Sequence, residues 1–233
     1  MGQLTESQTR RQTANREEDL NAFTDAVLRW TNVKARAEPI YQRGKQTREQ
    51  LTAAAKTAFI RIGYIDCSVE DILQEANISR GTFYAHFSSK KAIFGAVVIE
   101  HIKERISRTE VTDAGGADYP DRVRLTIERF LMNYSNTQDL SLVIEQAANY
   151  DPEFRKVRMV IRDIFARRIE RGIRRQQKAG RISDGLDARL HALMILSMLT
   201  NMAQVEIGWR GSRPSKQLID SMTDFWCNGL DFS

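Results

Sequence analysis

Residues 68–87, S-V-E-D-I-L-Q-E-A-N-I-S-R-G-T-F-Y-A-H-F, limit the fold of this chain more than any other stretch. Ser68 can cap a helix with Asp71 three residues on, and Val69, Ile72, Leu73 and Ala76 then follow at i, i+3, i+4 and i+7, which defines one buried face. Asn77 suits the left-handed backbone of a tight turn, Ile78 can plug inward, and Ser79 can cap a second helix at once. Two helices joined this closely must cross sharply. The spacing therefore predicts a helix-turn-helix, the layout that lays its second helix in a DNA major groove.

On a wheel of about 100° per residue, Phe83 and Phe87 of the second helix fall on one side, and Gly81, Thr82 and Ala85 on the other. Small side chains there let the backbone approach a groove about 12 Å wide, and the methyls of Thr82 and Ala85 suit thymine methyls. Arg80 and Tyr84 form one flank and His86 the other. A guanidinium forks onto a guanine edge or a phosphate, and a phenol or imidazole has the length to reach phosphate oxygens. A net charge of +5 and a pI near 9.3 agree with a polyanionic partner without deciding for one.

Residues 47–104 resemble the DNA-binding domain of the TetR family of bacterial transcriptional regulators. The residues that carry the resemblance are Ala54, Ala55, Ala58, Phe59, Gly63 and Tyr64, then Ser68, Val69, Ile72, Ala76, Ile78 and Ser79, and finally Gly81-Thr82-Phe83-Tyr84, His86-Phe87 and Ser89-Lys90-Lys91. Most relatives have glycine where this chain has Asn77, and asparagine also tolerates positive φ. The resemblance implies an all-α fold: an N-terminal three-helix helix-turn-helix DNA-binding domain, then a C-terminal helical ligand-binding and dimerisation domain. The candidate DNA-contact set is Ser68, Val69, Ser79, Arg80, Gly81, Thr82, Tyr84, His86 and Lys90.

A chain of 233 residues suits one small domain plus one of roughly 100 to 150 residues. The expected divisions are an N-terminal extension over 1–43, the helix-turn-helix domain over 44–106 and the effector and dimerisation domain over 107–233. In the extension, 1–14 is polar and expected to be disordered. Asn15 with Glu18 then offers a capping box, and Leu20, Phe23, Val27 and Trp30 or Val33 recur at helical spacing until Pro39. This extra amphipathic helix is expected to pack on its own protomer or its partner rather than serve a separate interaction. Arg43, Lys45 and Arg48 follow, and the resemblance implies that such basic arms reach phosphates or a minor groove. A helix over 47–62, with Leu51, Ala55, Ala58, Phe59 and Ile62 in one stripe and Gly63 at its end, is scaffold. Beyond the reader, Ser88 or Ser89 caps a helix through Ile93, Phe94, Val97, Val98, Ile102 and Ile106. Its first turn, Lys90 and Lys91, is expected at the DNA backbone and its far end in the second domain, which makes it a mechanical link.

The stretch 113–120 breaks the chain, and helical periodicity resumes over 122–134, 140–149, 152–179, 186–209 and 214–230 with no competing strand pattern. Pro152 and Pro214 are placed in first helical turns. The 186–209 helix is apolar nearly all round and must be covered on two sides, one of them by a second copy. Leu193, Met202, Met222, Phe225 and Trp226 are the candidate dimer interface. The resemblance implies a homodimer joined by its last two long helices, and such a twofold dimer reads a palindromic operator. Phe130, Tyr134, Met159, Met194 and Met198 are candidates for the pocket of a small apolar effector, although the same residues suit an ordinary core. The basic run from Arg155 to Arg181 reads first as a solvated helix face. Its alternative is an anion site, for nucleic acid or for the phosphates of an acyl-coenzyme A effector.

No G-x-S-x-G, H-E-x-x-H, G-x-G-x-x-G or P-loop occurs, and His86, His101 and His191 lack metal-ligand spacing, so no enzymatic activity, metal or cofactor is expected. Cys67 and Cys227 read as thiols. Cys67 precedes a helix start, where a thiolate is favoured, and a redox switch is its lesser reading. With no run of about 18 apolar residues and no signal peptide at Met1, a cytoplasmic chain without a membrane partner is expected. The functional expectation is a homodimeric repressor released from a palindromic operator by an apolar small molecule. The alternatives are an effector-independent DNA-bound factor acting through protein contacts, and a helical carrier or adaptor that does not bind DNA.

Overall fold

The computed structural model describes residues 6–32, 42–108 and 118–230, and all regular structure among them is helical. In chain order the helices are α1 (Glu6–Thr31), α2 (Gln42–Ile62), α3 (Val69–Ala76), α4 (Arg80–His86), α5 (Lys90–Arg108), α6 (Tyr119–Tyr150), α7 (Pro152–Lys178) and α8 (Ala188–Met202). A π-helical segment (Ala203–Trp209) and α9 (Lys216–Gly229) complete the chain. Among the described residues, Glu18–Glu104 with Asp139–Val160 form one compact unit, here called the helix-turn-helix unit. Arg105–Gln138 and the residues from Ile161 onward, with the start of α1 up to Glu17, form the other, the bundle unit.

In the helix-turn-helix unit, Phe23, Ala26, Val27 and Trp30 of α1 are buried at 0–7% exposure, so the stripe of the extension is covered by its own protomer. Burying each large apolar side chain is worth about 1.5–3 kcal/mol, which fixes α1 to this unit without help from its polar face. The helix begins at Glu6, well before Asn15, and the expected disorder over 6–14 is not found. Its early residues include the adequate helix formers Gln8, Arg10, Arg11, Gln12 and Ala14 and need no apolar stripe to continue the helix. Asn32, at φ 53°, ends it with its N–H on the Arg29 carbonyl. Val33 and Pro39 lie outside the described residues. Leu51, Ala55, Ala58 and Phe59 of α2 are fully buried, and Gly63, at φ 89°, ends that helix as expected.

The two helices expected over 122–134 and 140–149 are one helix, α6, whose residues up to Gln138 belong to the bundle unit and whose residues from Asp139 belong to the helix-turn-helix unit. The apolar stripe of Val123, Ile127, Phe130, Leu131 and Tyr134 gives way to a second one, Leu140, Val143, Ile144 and Ala147, on another face of the same helix, and the polar residues between include neither glycine nor proline. One hydroxyl there, that of Thr137, bonds back to the Asn133 carbonyl. Pro152 does open α7, behind an Asp151 carboxylate that accepts from the N–H groups of Glu153 and Phe154. Pro214 does not open α9, because Ser215 is the cap and pushes the proline outside the helix. The expected 186–209 helix starts after the Asp187 cap and changes to π geometry at Ala203. Ala188–Trp209 is long and apolar enough by composition to cross a membrane, a test that core helices also pass. Trp226 of α9 sits in the core and donates its indole N–H to the Tyr119 hydroxyl of α6 at 3.2 Å.

Candidate nucleic-acid interface

The local signals of residues 68–87 act as their sequence suggests. Ser68 accepts from the Asp71 N–H at 3.1 Å, and the Asp71 carboxylate accepts from the Ser68 N–H at 2.8 Å, a complete capping box. These Ser68 bonds hold the Asp71 carboxyl below the usual carboxylate range. Asn77 is left-handed at φ 52°, ψ 47°, and Ile78 donates to the Leu73 carbonyl, so the turn closes without glycine. Ser79 caps α4 by accepting from the Thr82 N–H at 3.2 Å. Phe83 and Phe87 are buried, while Gly81, Tyr84 and Ala85 are exposed, which leaves a shallow outward face on α4.

Around that face the polar side chains have separate occupations. Arg80 pairs with Glu70 of α3 at 2.8 Å and lies 5.8 Å from the centroid of the Tyr84 ring. The Ser68 hydroxyl is held in its capping box, Val69 and His86 are half-buried, and Tyr84 is 41% exposed. Arg48 of α2 donates to the His86 carbonyl at 3.0 Å and stacks on Phe87 at 4.2 Å, so this member of the basic arm braces the end of α4.

Lys90 is placed differently from the sequence reading. Its ammonium donates to the carbonyls of Tyr64, Ile65 and Cys67 at 2.9, 3.0 and 2.7 Å, which engages all three donors. It holds the turn that precedes α3. Lys91 lies 3.7 Å from Asp151 and 4.6 Å above the Trp30 ring. The capping serine of α5 is Ser89. Cys67 is 1% exposed, and burial pushes its thiol up to about 11, which removes the basis for a reactive thiolate.

The five effector candidates are divided between the two units. Met159 belongs to the helix-turn-helix unit and is 52% exposed. Phe130 and Tyr134 are buried in the bundle core, flanking Asn133 on α6. Met194 and Met198 line an apolar groove of about 550 Å³ between α8 and α9, together with Met202, Met222, Phe225 and Trp226 of the candidate dimer set, and Met198 also packs against the core that holds Phe130 and Tyr134. Within that set Met222 and Trp226 also fill their own core, Phe225 is 67% exposed, and Leu193 is half-buried outside the groove lining.

Two features escaped the sequence reading. Asn133 is 5% exposed, and neither atom of its amide has a hydrogen-bond partner among the described residues. Much of the basic run is engaged internally: Arg158 with Glu145, Arg174 with Glu170, Arg162 with Ser197 and Arg168 with the Ile106 carbonyl. Apart from the i,i+4 pair of Arg174 with Glu170, no local pattern announces these features, because they depend on side chains from other helices.

A sequence profile described as "Bacterial regulatory proteins, tetR family" matches residues 51–97, and one described as "Tetracyclin repressor-like, C-terminal domain" matches residues 116–230. The HTH-type transcriptional activator FasR of Mycolicibacterium smegmatis is 31% identical over 85 residues, 36% of this chain and 39% of that protein. The HTH-type transcriptional repressor NemR of Escherichia coli is 31% identical over 78 residues, 33% of this chain and 39% of that protein. The chain thus aligns with about two fifths of the length of either relative. Among solved structures, the transcriptional regulator FadR from Bacillus subtilis in complex with stearoyl-CoA superimposes with a TM-score of 0.68 at 21% identity, covering 78% of this chain and 98% of that one. At that identity the likeness speaks for the fold.

Proposed function

The chain belongs to the TetR family of bacterial regulatory proteins, and on that premise we propose that it is a homodimeric repressor that leaves a palindromic operator when a small effector binds its bundle unit. The observation that carries the DNA-reading step is α4: Phe83 and Phe87 anchor it from behind, while Gly81, Tyr84 and Ala85 are exposed in front. Gly81 and Thr82 approach base edges, and Arg80, Tyr84 and His86 reach the flanking phosphates. Burial of the α1 stripe speaks against the extra N-terminal helix as the surface of a factor that works only through protein contacts.

Asn133 supports an effector with a polar group on an apolar body, because an unpaired buried amide beside Phe130 and Tyr134 is costly until something bonds to it. An acyl-coenzyme A, the kind of molecule bound by FadR, has that chemistry. Effector binding then favours a conformer whose two readers no longer match two half-sites. A coupling of about 1–3 kcal/mol lowers operator affinity roughly 5- to 150-fold.

The test is capture of genomic fragments by the purified full chain, with the bound sites mapped and the capture repeated with stearoyl-CoA. The expected result is a palindromic site that is lost when the acyl-CoA is added. No specific capture at low salt overturns the DNA reading, and capture indifferent to stearoyl-CoA overturns the acyl-CoA assignment. A reporter behind the captured site distinguishes repression from activation.

A further inference from the structure

We propose that helix α1 is a working part of the DNA reader: through Trp30 and Asp151 it clamps the turn between α6 and α7 to the first turn of α5, and thereby sets the position of α3 and α4. This assigns a role to the N-terminal extension and rests on the DNA-reading function above. All of the residues involved lie in the helix-turn-helix unit.

The clamp is built around one carboxylate. Asp151 Oδ1 accepts from the N–H groups of Glu153 and Phe154 at 2.8 and 3.2 Å, which caps α7. Its Oδ2 accepts from the Trp30 indole N–H at 2.8 Å and faces the Lys91 ammonium at 3.7 Å. A single side chain therefore ties together α1, α5 and α7. The Trp30 ring fixes the same junction from its apolar side, 4.5 Å from Phe154 and 6.1 Å from Phe94. Gly95 lets α1 come this close to α5: a Cβ there would lie 2.8 Å from Thr31 and 2.9 Å from Val27.

From this junction a continuous set of bonds leads to the reader. Phe94 packs on Tyr64 at 4.3 Å, and the Tyr64 N–H donates to Gln146 of α6 at 3.1 Å. Lys90, next to Lys91, holds the Tyr64, Ile65 and Cys67 carbonyls, and Cys67 is followed directly by the Ser68 cap of α3. Loosening Trp30 frees the α6–α7 turn and the start of α5, and with them the turn that orients α3. Charge-assisted bonds of this partly buried kind are the ones whose loss is felt.

The test uses the full chain with Trp30→Phe, which keeps an aromatic ring and removes the indole donor, and Asp151→Asn, which keeps an acceptor and removes the charge. Phe23→Leu is the control, since it weakens the packing of α1 without touching Asp151. Hydrogen exchange reads the clamp without DNA, and operator affinity reads its consequence. Expected are faster exchange of the amides over 64–67 and 146–154 in Trp30→Phe, and operator affinity lowered about three- to tenfold at wild-type helix content. The double variant should lose no more than the worse single one, the mark of a shared interaction. Phe23→Leu should lower the melting temperature and leave affinity unchanged. Unaltered exchange and affinity in folded Trp30→Phe and Asp151→Asn overturn the clamp, as does an equal loss of affinity in Phe23→Leu. Failure of the wild-type chain to bind any specific site would instead overturn the DNA reading, and the exchange data would still report whether the junction is real.

Discussion

In the proposed DNA complex Arg80 would arrive already engaged, paired with Glu70 across the two helices of the reader with both side chains more than half exposed. An exposed pair of this kind is worth about 0–1 kcal/mol, so DNA would have little to displace, but the Glu70 charge would then face phosphates. Glu70→Gln is therefore expected to raise operator affinity, by up to about fivefold, and a binding titration at two salt concentrations checks it. A fall in affinity would mean that Glu70 aims Arg80 at its target. On the same face, Tyr84→Phe should weaken binding to all sequences alike, whereas Thr82→Ala should change base preference; unchanged affinity for Tyr84→Phe places that flank away from DNA. Asn133 permits the opposite argument. Removing an unpaired buried amide relieves a desolvation cost of about 1–3 kcal/mol, so Asn133→Leu should raise the thermal stability of the effector-free chain while operator release by stearoyl-CoA is lost. A variant that melts lower and still responds would show that the amide is paired in solution and is no part of the effector site.

At the scale of elements, two helix caps make acid stability predictable. Asp71 of α3 is held below the usual carboxylate range by its bonds to Ser68. At Asp151, burial raises the carboxyl, but the Trp30 indole, the Phe154 and Glu153 N–H groups and Lys91 outweigh it and hold it low. Both groups titrate lower in the folded chain than in the unfolded one. Their stabilisation is therefore complete above the ordinary Asp value of about 4 and is lost as pH falls below it towards the folded values. Melting temperature should decline through that window in the wild type and decline less in Asp71→Asn; parallel curves would remove the cap from the account. The caps also show what the sequence makes legible. Ser68, Asp71, Asn77 and Ser79 act on neighbours within four residues, so α3, the turn and α4 could be placed residue by residue. The early start of α1 and the single α6 follow from residues that allow a helix to continue without a matching apolar stripe, so the apolar period alone misplaces their bounds, and no local period announces the π segment after Met202. The same holds for Lys90: its spacing suits a phosphate contact, and only the folded turn shows three carbonyls waiting for its ammonium.

For the whole molecule, the question is what covers α8 and α9. Leu190, Met194 and Phe225 are 52%, 50% and 67% exposed, and Met194 and Phe225 border the same apolar groove. Large apolar side chains gathered around one groove are costly in water, and in the proposed dimer a second copy would cover them with the same surface by twofold symmetry. That dimer is also what a palindrome requires, because two readers on one particle bind the second half-site at a high effective concentration. Met194→Asp and Phe225→Asp are therefore expected to give monomers in analytical ultracentrifugation with helix content retained. Operator affinity should fall by about 10²-fold or more, and single half-site affinity should stay near the wild-type value. A charge on an exposed side chain costs the isolated fold little, so the two losses should appear together and without unfolding. If both variants remain dimeric, the twofold contact lies elsewhere on the bundle unit and the groove becomes the better candidate for the apolar part of the effector, which stearoyl-CoA binding to the same two variants would then decide.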